Sequence, residues 1–197
     1  MEIENNILID DLAARAEHAI SKAKLFETLP LERLRYKNGN QWSILECLEH
    51  LNLYGDFYLP EIEKRIIANQ HKAVSTTFKS GIVGNYFANL MEVKDGKIKK
   101  MPSPKDKNPS RMSLSITTIS RFLKQQEQLL NLFEQSRTVD LTRTKTAISL
   151  TNFIKLRLGD TLRFYTYHIE RHVWQADRMM EATNSKPILT TVLKHNH

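Results

Sequence analysis

Two histidines, His168 and His172, stand four residues apart near the end of the chain. On an α-helix this spacing places both imidazoles on one face, one turn apart. The same helical face continues through Thr161, Tyr165, Ala176 and Met179. A stripe of this kind is expected to face the core, where a plain helical protein would carry leucine. Two buried imidazoles need polar partners, and a metal ion is one partner that suits both.

A third histidine, His50, lies in a separate segment, and its neighbours at helical spacings are apolar. Two ligands from one helix and a third from a facing helix cover one side of a metal. They leave positions for water or substrate, which is the pattern of catalytic rather than structural sites. Neutral imidazole suits several divalent transition metals, and ligand type alone does not choose among them. The candidate metal ligands are therefore His50, His168 and His172, and no catalytic residue is assigned.

The spacing His-x-x-x-His is a weak signal when it stands alone. It is not the metalloprotease motif His-Glu-x-x-His, because Glu170 lies two residues after His168 and about 200° around the helix. The alternative that the spacing leaves open is a pair of core histidines, hydrogen-bonded to Tyr165, Gln175 or the backbone. The pattern by itself does not decide between the two interpretations.

Three other side chains stand one helical turn from a candidate ligand. Tyr54 and Tyr165 are candidates for donating a hydrogen bond to a bound substrate, and core packing is the alternative for both. Cys47 is a candidate for metal contact, although a small buried residue is the better interpretation.

Two of the predicted helices lie in the first part of the chain. Residues 5–28 carry apolar side chains at alternating steps of four and three, which is typical of an amphipathic helix. A second helix is predicted from Ser43 to about residue 70, because Ser43 and Glu46 form a capping-box pattern before an apolar run. Pro60 lies inside this helix, so a kink or break is expected there.

Two further helices are predicted in the second part of the chain. The third runs from about residue 113 to 136. Residues 149–158 are interpreted as a short helical lead-in, after which Gly159 and Asp160 form a turn and an N-cap. The fourth helix then extends to about Thr183 and carries His168 and His172.

Four amphipathic helices joined by loops predict an all-α fold, a four-helix bundle. Residues 71–112 have the poorest pattern and are expected to form a long irregular insertion between the second and third helices. Glycine is scarce, with six in the chain, which favours helix over loop and strand. A length of 197 residues predicts a single domain that spans residues 1–197.

The net charge of +7 and the pI near 9.5 raise the question of nucleic-acid binding. Much of the excess comes from residues 94–107, which hold six lysines and are interpreted as a solvated loop. We therefore expect neither a nucleic-acid nor a membrane partner. One cysteine, no signal-peptide pattern and no apolar run of about 20 residues indicate a cytoplasmic location.

Two stretches of the chain resemble the DinB-like superfamily. Residues 41–51 resemble its pattern of Trp-Ser, then Glu, then His-Leu at the start of a second helix. Residues 158–175 are similar to its other signature, a late His-x-x-x-His followed by Gln. The intervening residues 99–105 also resemble a loop of that family, and the likeness extends from about residue 30 to 182. Each motif is short, but their order and separation are fairly specific.

The resemblance implies a four-helix bundle that binds a divalent metal, zinc or nickel, through His50, His168 and His172. Characterised relatives include metal-dependent transferases of low-molecular-weight thiols such as bacillithiol and mycothiol. The expected function is thus a metal-dependent enzyme on a small-molecule substrate, either a thiol transferase with a thiol co-substrate or a hydrolase. The alternative is a non-catalytic bundle with a structural or vestigial site, acting through a protein partner or as a homodimer.

Overall fold

The computed structural model describes residues 1–94, 96, 98 and 101–184. Its secondary-structure elements are β1 (Glu2–Glu4), α1 (Asn5–Glu27), α2 (Leu31–Arg35), α3 (Ile44–Ile67), β2 (Thr77–Lys79), α4 (Ile82–Met91), a 3-10 helix (Lys105–Lys107), α5 (Thr117–Ser136), β3 (Lys145–Ile148), β4 (Thr151–Arg157) and α6 (Leu158–Asn184). The prediction of an all-α fold is confirmed, since the strands form only two small sheets, β1–β2 and β3–β4, within the described ranges. Residues 95, 97, 99 and 100 of the lysine-rich loop lie outside those ranges.

Four long helices, α1, α3, α5 and α6, enclose the core. Both α1 and α3 pack against α5 and against α6. The apolar stripe predicted on α1 is buried at every position, Leu8, Leu12, Ala16, Ala19, Ala23 and Phe26. The contact between α3 and α6 matters most for function, because these two helices carry the candidate metal ligands.

The start of α3 is the capping box that the sequence predicts. The Ser43 hydroxyl accepts a hydrogen bond from the Glu46 backbone N–H at 3.2 Å, and the Glu46 carboxylate accepts one from the Ser43 N–H at 2.9 Å. The helix then runs unbroken through Pro60 to Ile67, so the predicted interruption does not appear as a break. Buried Leu59 and Ile62, on either side of the proline, hold this part of the helix against the core.

The prediction of a helical lead-in at residues 149–158 is wrong. Residues Thr151–Arg157 form β4, which pairs antiparallel with β3, with an irregularity between Ala147 and Ile148. Helix α6 follows directly at Leu158 without a separate turn. Pairing with β3 decides the conformation of this segment, because seven residues are too few to show a helical period.

The predicted N-cap role of Asp160 on its own helix is also wrong. Asp160 lies in the first turn of α6, and its carboxylate accepts hydrogen bonds from the Ser80 hydroxyl and from the Gly81 backbone N–H, the latter at 2.8 Å. Gly81 is the residue that precedes α4. The carboxylate therefore satisfies the start of α4, where the helix dipole favours negative charge.

The described part of residues 71–112 contains regular elements where the sequence predicted an irregular insertion. It contains β2, which pairs antiparallel with the N-terminal strand β1, and it contains α4, which packs on α6. The 3-10 helix lies near its end and contacts α3. Among the described residues, no helix combines the length and the apolarity needed to cross a bilayer.

Candidate metal centre

The three histidines singled out by the sequence converge between α3 and α6. One ring nitrogen from each of His50, His168 and His172 lies within 4.8 Å of the others, and these residues form a group that can hold a metal ion. All three side chains are buried. The face predicted on α6 is buried along its length, at Thr161, Tyr165, His168, His172, Ala176 and Met179.

The separation of the ring nitrogens suits a shared ion. The Nε2 atoms of His50 and His168 are 3.2 Å apart. Zinc–nitrogen bonds of about 2.0–2.1 Å at tetrahedral angles place two ligand nitrogens roughly 3.3 Å apart. Two imidazoles from helices distant in the chain thus already stand at the spacing that a common divalent ion requires.

The tautomer of His50 is set by the backbone of the 3-10 helix. Its Nδ1 lies 2.6 Å from the carbonyl oxygen of Lys107, which only accepts, so Nδ1–H donates and Nε2 keeps its lone pair. Lys107 is itself held by its ammonium group, which donates to the Leu53 carbonyl at 3.1 Å. A ligand histidine that donates its other N–H to a carbonyl is the usual supporting arrangement at metal sites.

The rings on α6 have hydrogen-bonding capacity that the described residues do not fill. The Nδ1 atoms of His168 and His172 are buried and have no hydrogen-bond partner there. An ion held at the Nε2 atoms of His50 and His168 would leave the His168 Nδ1–H as a donor, so the open Nδ1 positions call for a polar partner of their own and do not indicate the ion. Three imidazoles with one lone pair directed by Lys107 form a donor set that fits a divalent transition metal.

Burial keeps the imidazoles in the form that binds metal. It lowers the pKa of His50 to about 4, although the hydrogen bond to the Lys107 carbonyl opposes the shift. Burial also lowers the pKa of His168 and His172 well below the usual value, and the neighbouring histidines and then Arg171 add to the effect, while a hydrogen bond with Gln175 opposes it at His172. All three rings are therefore neutral near pH 7, as metal ligation requires.

Aromatic rings enclose the histidines on two sides. The Trp42 ring lies 4.8 Å from that of His50 and 5.7 Å from that of His172, measured between centroids. The Tyr54 ring meets His168 edge-on at 4.5 Å, and the Phe164 ring stacks near it at 5.9 Å. These walls limit the access of water and strengthen electrostatic interactions inside the site.

The neighbouring candidates divide into one that reaches the site and two that do not. Tyr54 lies against His168, and burial raises its pKa to about 12, so its hydroxyl stays protonated and able to donate. Tyr165 stacks on Tyr58 at 5.4 Å and is fully buried. Cys47 is buried, which raises the pKa of its thiol, and it is not a member of the metal-binding group.

The prediction that Glu170 is not a general base for this site is confirmed, and the contribution of the Lys107 carbonyl was missed. Glu170 pairs with Arg15 at 2.7 Å on the other side of α6, so it is not a general base for this site. The Lys107 carbonyl was not predicted, because a backbone acceptor has no residue-type signal and its segment showed no regular pattern.

Comparison with known proteins gives one match. A family model described as the DinB superfamily matches residues 22–176, a range that includes all three histidines. No curated protein and no solved structure matches the chain.

Proposed function

We propose a function from one premise: the chain belongs to the DinB superfamily. The protein is a metal-dependent enzyme that acts on a small-molecule substrate, with zinc or nickel bound by His50, His168 and His172. Its reaction is the transfer of a low-molecular-weight thiol of the bacillithiol type, or the hydrolysis of a small substrate. Thiol transfer and hydrolysis share one requirement, a nucleophile activated at neutral pH.

The observation that carries the proposal is the 3.2 Å separation of the His50 and His168 Nε2 atoms, together with the Lys107 carbonyl that directs the His50 lone pair inward. What favours an ion over a simple hydrogen-bonded pair is the third ring, because His172 also brings a nitrogen within 4.8 Å of those of His50 and His168. A divalent ion, when bound, supplies Lewis acidity that lowers the pKa of a thiol or of water.

The residues of the chain supply the rest of the proposed site. Three protein ligands leave at least one position for substrate. Tyr54, protonated and adjacent to His168, donates a hydrogen bond to the bound substrate. Trp42 and Phe164 shield the histidines from bulk water.

The proposal is tested first by elemental analysis of protein purified without a nickel column. We expect about one zinc or nickel ion per chain, and we expect His168→Ala to lose it. His71→Ala, a change at an exposed histidine, is the matched control and should keep the metal. Unchanged metal content in His168→Ala would show that the three-histidine site is wrong.

The reaction is tested separately. Turnover of bacillithiol with an electrophile, abolished by EDTA and restored by the native metal, would support thiol transfer. Hydrolysis without any thiol requirement would support the hydrolase. Metal binding in the absence of either activity would favour the second candidate, a non-catalytic bundle.

That second candidate is favoured by one exposed apolar surface. Ile82 is 93% exposed, Tyr86 61% and Phe153 97%, and their elements α4 and β4 are in contact. Ile82 and Tyr86 are four residues apart on α4, and exposed apolar side chains on neighbouring elements are candidates for an interaction surface. We propose this surface as the contact through which a non-catalytic bundle would bind a protein partner or a second copy.

Sedimentation velocity of the wild type and of Phe153→Ser tests the surface. A dimer that Phe153→Ser dissociates would support a homodimer through this face. Monomers in both proteins would exclude that homodimer and leave a different partner as the occupant. Leu25→Ser, at an exposed leucine of α1, is the control for a general loss of surface hydrophobicity.

A further inference from the structure

The outer face of the β3–β4 hairpin combines one apolar ring with several cations. Phe153, Lys155 and Arg157 stand at alternate positions of β4, so they project from the same face of the hairpin. The cross-strand partner of Arg157 is Lys145, which projects with it. Leu156, on the opposite face of β4, is buried, whereas Phe153 is almost wholly exposed and both lysines are exposed.

Helix α4 extends this face. The Arg157 guanidinium donates to the Lys79 carbonyl, which is 78 residues away in the chain, and its Nε would lie 3.4 Å from a Cβ atom placed at Gly81. Arg157 therefore lies against the start of α4, where Ile82 is the first residue and Tyr86 follows one turn later. Both of these apolar side chains are exposed, as is Lys79. We call the combined area the α4–hairpin surface, and it consists of Lys79, Ile82, Tyr86, Lys145, Phe153, Lys155 and Arg157.

The two segments that build the α4–hairpin surface carry charge of one sign only. Residues 77–91 and residues 141–159 contain no aspartate or glutamate. They hold five basic residues, which are Lys79, Arg143, Lys145, Lys155 and Arg157. The positive charge of the chain thus has a second source besides its lysine-rich loop.

The acidic groups beside these segments do not neutralise the α4–hairpin surface. Asp140 and Asp160, which flank the second segment, are buried, and their carboxylates accept hydrogen bonds from neighbouring backbone N–H groups. Glu2 is exposed and lies 3.8 Å from the ammonium group of Lys79. One cation at the edge therefore has an exposed acidic partner, and the surface as a whole stays positive.

This charge disfavours a second copy of the chain as the occupant. In a two-fold dimer the same patch faces itself, so the lysines of one copy would approach the lysines of the other. Like charges brought together across an interface weaken binding. The occupant that complements the α4–hairpin surface is anionic.

The shape of the apolar part favours a lipid bilayer among anionic occupants. Ile82 and Phe153 are almost wholly exposed, so each protrudes singly and the two do not enclose a groove. A folded protein partner would need a separate pocket for each side chain, whereas the hydrocarbon of a bilayer accepts them in any arrangement. Nucleobases would stack on Tyr86 and Phe153, but not on Ile82. Protruding apolar side chains beside lysines suit the boundary between acyl chains and anionic headgroups.

We infer that the α4–hairpin surface binds the surface of an anionic lipid bilayer. Its apolar side chains enter the headgroup region, and its lysines lie at the lipid phosphates. The inference goes beyond both candidate functions, because neither includes a membrane, and it requires neither the metal nor turnover. A membrane partner was not expected from the sequence, because the surface is assembled from segments 78 residues apart.

Co-sedimentation of the full chain with vesicles tests the inference. The vesicles are made of phosphatidylcholine, either alone or mixed with an equal part of phosphatidylglycerol. We expect binding to the mixed vesicles and little binding to the neutral ones. Phe153→Ser should weaken the binding about 10-fold, and Leu25→Ser, at an exposed leucine of α1, should not. The inference is overturned if the mixed vesicles bind no protein or bind Phe153→Ser as well as the wild type.

The position of the cations is tested by the double variant Lys145→Gln, Lys155→Gln. We expect about 25-fold weaker binding to the mixed vesicles, because each basic residue close to an anionic surface contributes roughly fivefold in affinity. The double variant Lys24→Gln, Lys124→Gln removes the same charge from exposed positions of α1 and α5 and should lose much less. Equal losses in the two double variants would show adsorption by net charge alone and would overturn the inference.

Entry of the apolar side chains into the bilayer is tested with Phe153→Cys, labelled with a polarity-sensitive fluorophore. The native cysteine, Cys47, is buried, so the label attaches to the introduced thiol. We expect the emission to shift to shorter wavelength on the mixed vesicles, and no shift from a label at Leu25→Cys. Unshifted emission at both positions would overturn the apolar contact.

The other occupants give different results. A dimer that Phe153→Ser dissociates would assign the surface to a second copy. Binding of single-stranded oligo(dT) that Lys145→Gln, Lys155→Gln weakens, without vesicle binding, would assign it to nucleic acid. Either result would overturn the lipid inference. Vesicle binding should be the same in EDTA and in zinc, so failure of the metal proposal leaves this inference standing.

Discussion

At the scale of single residues, the two nitrogens of His50 have different roles. Nδ1 donates to the Lys107 carbonyl, and Nε2 faces His168 at 3.2 Å. The carbonyl fixes the orientation of the ring, which would otherwise require a carboxylate or water. A backbone group in the segment that precedes α5 thus orients the candidate ligand His50 on α3.

The neutral state of the buried imidazoles predicts a pH dependence for the metal-free protein. In the unfolded chain these rings gain a proton near the ordinary pKa of 6.5, whereas in the folded protein the pKa of His50 is about 4 and those of His168 and His172 are also lowered. The unfolded state therefore binds more protons as the pH falls below about 6.5. The free energy of unfolding should decrease from there toward pH 4, by up to about 3 kcal/mol from His50 alone.

Urea unfolding in EDTA at a series of pH values between 7.5 and about 4.5 measures this decrease. His50→Gln should show a shallower decrease than the wild type, because one of the three rings no longer takes up a proton on unfolding. His71→Gln, at an exposed histidine, should match the wild type. Identical slopes for His50→Gln and the wild type would contradict the prediction.

The candidate site was largely predictable at this scale because its signal is local. The step of four between His168 and His172, on a face that also carries Tyr165 and Met179, predicts burial and convergence, and both are observed. What joins them to His50 is a long-range contact, which the apolar neighbours of His50 at helical spacings suggested and the family resemblance supported. The Lys107 carbonyl had no signal in the sequence at all.

At the scale of elements, the position of His50 depends on how α3 begins. The capping box at Ser43 and Glu46 fixes the first turn, and His50 follows two turns later. Lys37 adds an ion pair to the Glu46 carboxylate at 2.7 Å. The cap thus fixes both the start and the rotation of the helix that presents the ligand.

Ser43→Ala should lower the free energy of unfolding by about 1 kcal/mol. The substitution removes the oxygen that accepts from the Glu46 N–H and leaves that buried donor unsatisfied. Ser21→Ala on α1 is the matched control, since that exposed serine only donates back to the Glu17 carbonyl and its loss should change stability by less than about 0.5 kcal/mol. Equal effects of the two substitutions in urea unfolding would argue against the cap.

The contact between α4 and α6 depends on a glycine. A Cβ atom added at Gly84 would overlap the side chain of Asp160, which holds the start of α4 through Ser80 and Gly81. Gly84→Ala should therefore separate the two helices at a cost of about 1–3 kcal/mol. At Gly81 the added Cβ would lie 3.3 Å from the Asp160 carboxylate, so Gly81→Ala is the milder comparison.

Thermal unfolding of both variants, with near-ultraviolet circular dichroism as the probe, measures the difference. We expect a larger drop in the melting temperature for Gly84→Ala than for Gly81→Ala. Equal melting temperatures for the two variants would show that the close approach at Gly84 is not a constraint.

The elements were predicted well where a helix is long enough to repeat its apolar pattern several times. They were predicted poorly where a strand depends on a partner strand elsewhere in the chain. Helices of 20 to 27 residues carry many repeats of the apolar pattern, and the four long ones lie close to their predicted ranges. The seven residues Thr151–Arg157 carry too few repeats, and their strand conformation depends on a partner, β3, that local reasoning does not see. The capping role of the Asp160 carboxylate was assigned to α6 rather than to α4 for the same reason, since its partner Ser80 lies 80 residues away in the chain.

At the scale of the whole molecule, the candidate metal centre joins segments that are distant in the chain. His50 and His168 are separated by 118 residues, and Lys107 comes from the segment between them. An ion bound by ligands from α3 and α6 contacts the folded state and not the unfolded one. Its binding energy is then added to the stability of the bundle as a whole rather than to one helix.

Zinc should therefore raise the melting temperature of the metal-stripped protein. At a free zinc concentration 100 times the dissociation constant, the stabilisation is about 2.7 kcal/mol, which for a chain of this size corresponds to a shift of roughly 5–10 °C. Differential scanning fluorimetry over a zinc series measures it. His168→Ala should lose the shift because two rings on different helices bind zinc weakly, and His71→Ala should retain it. If zinc stabilised His168→Ala as much as the wild type, the ion would be bound elsewhere, and the coupling of α3 to α6 through the three histidines would be refuted.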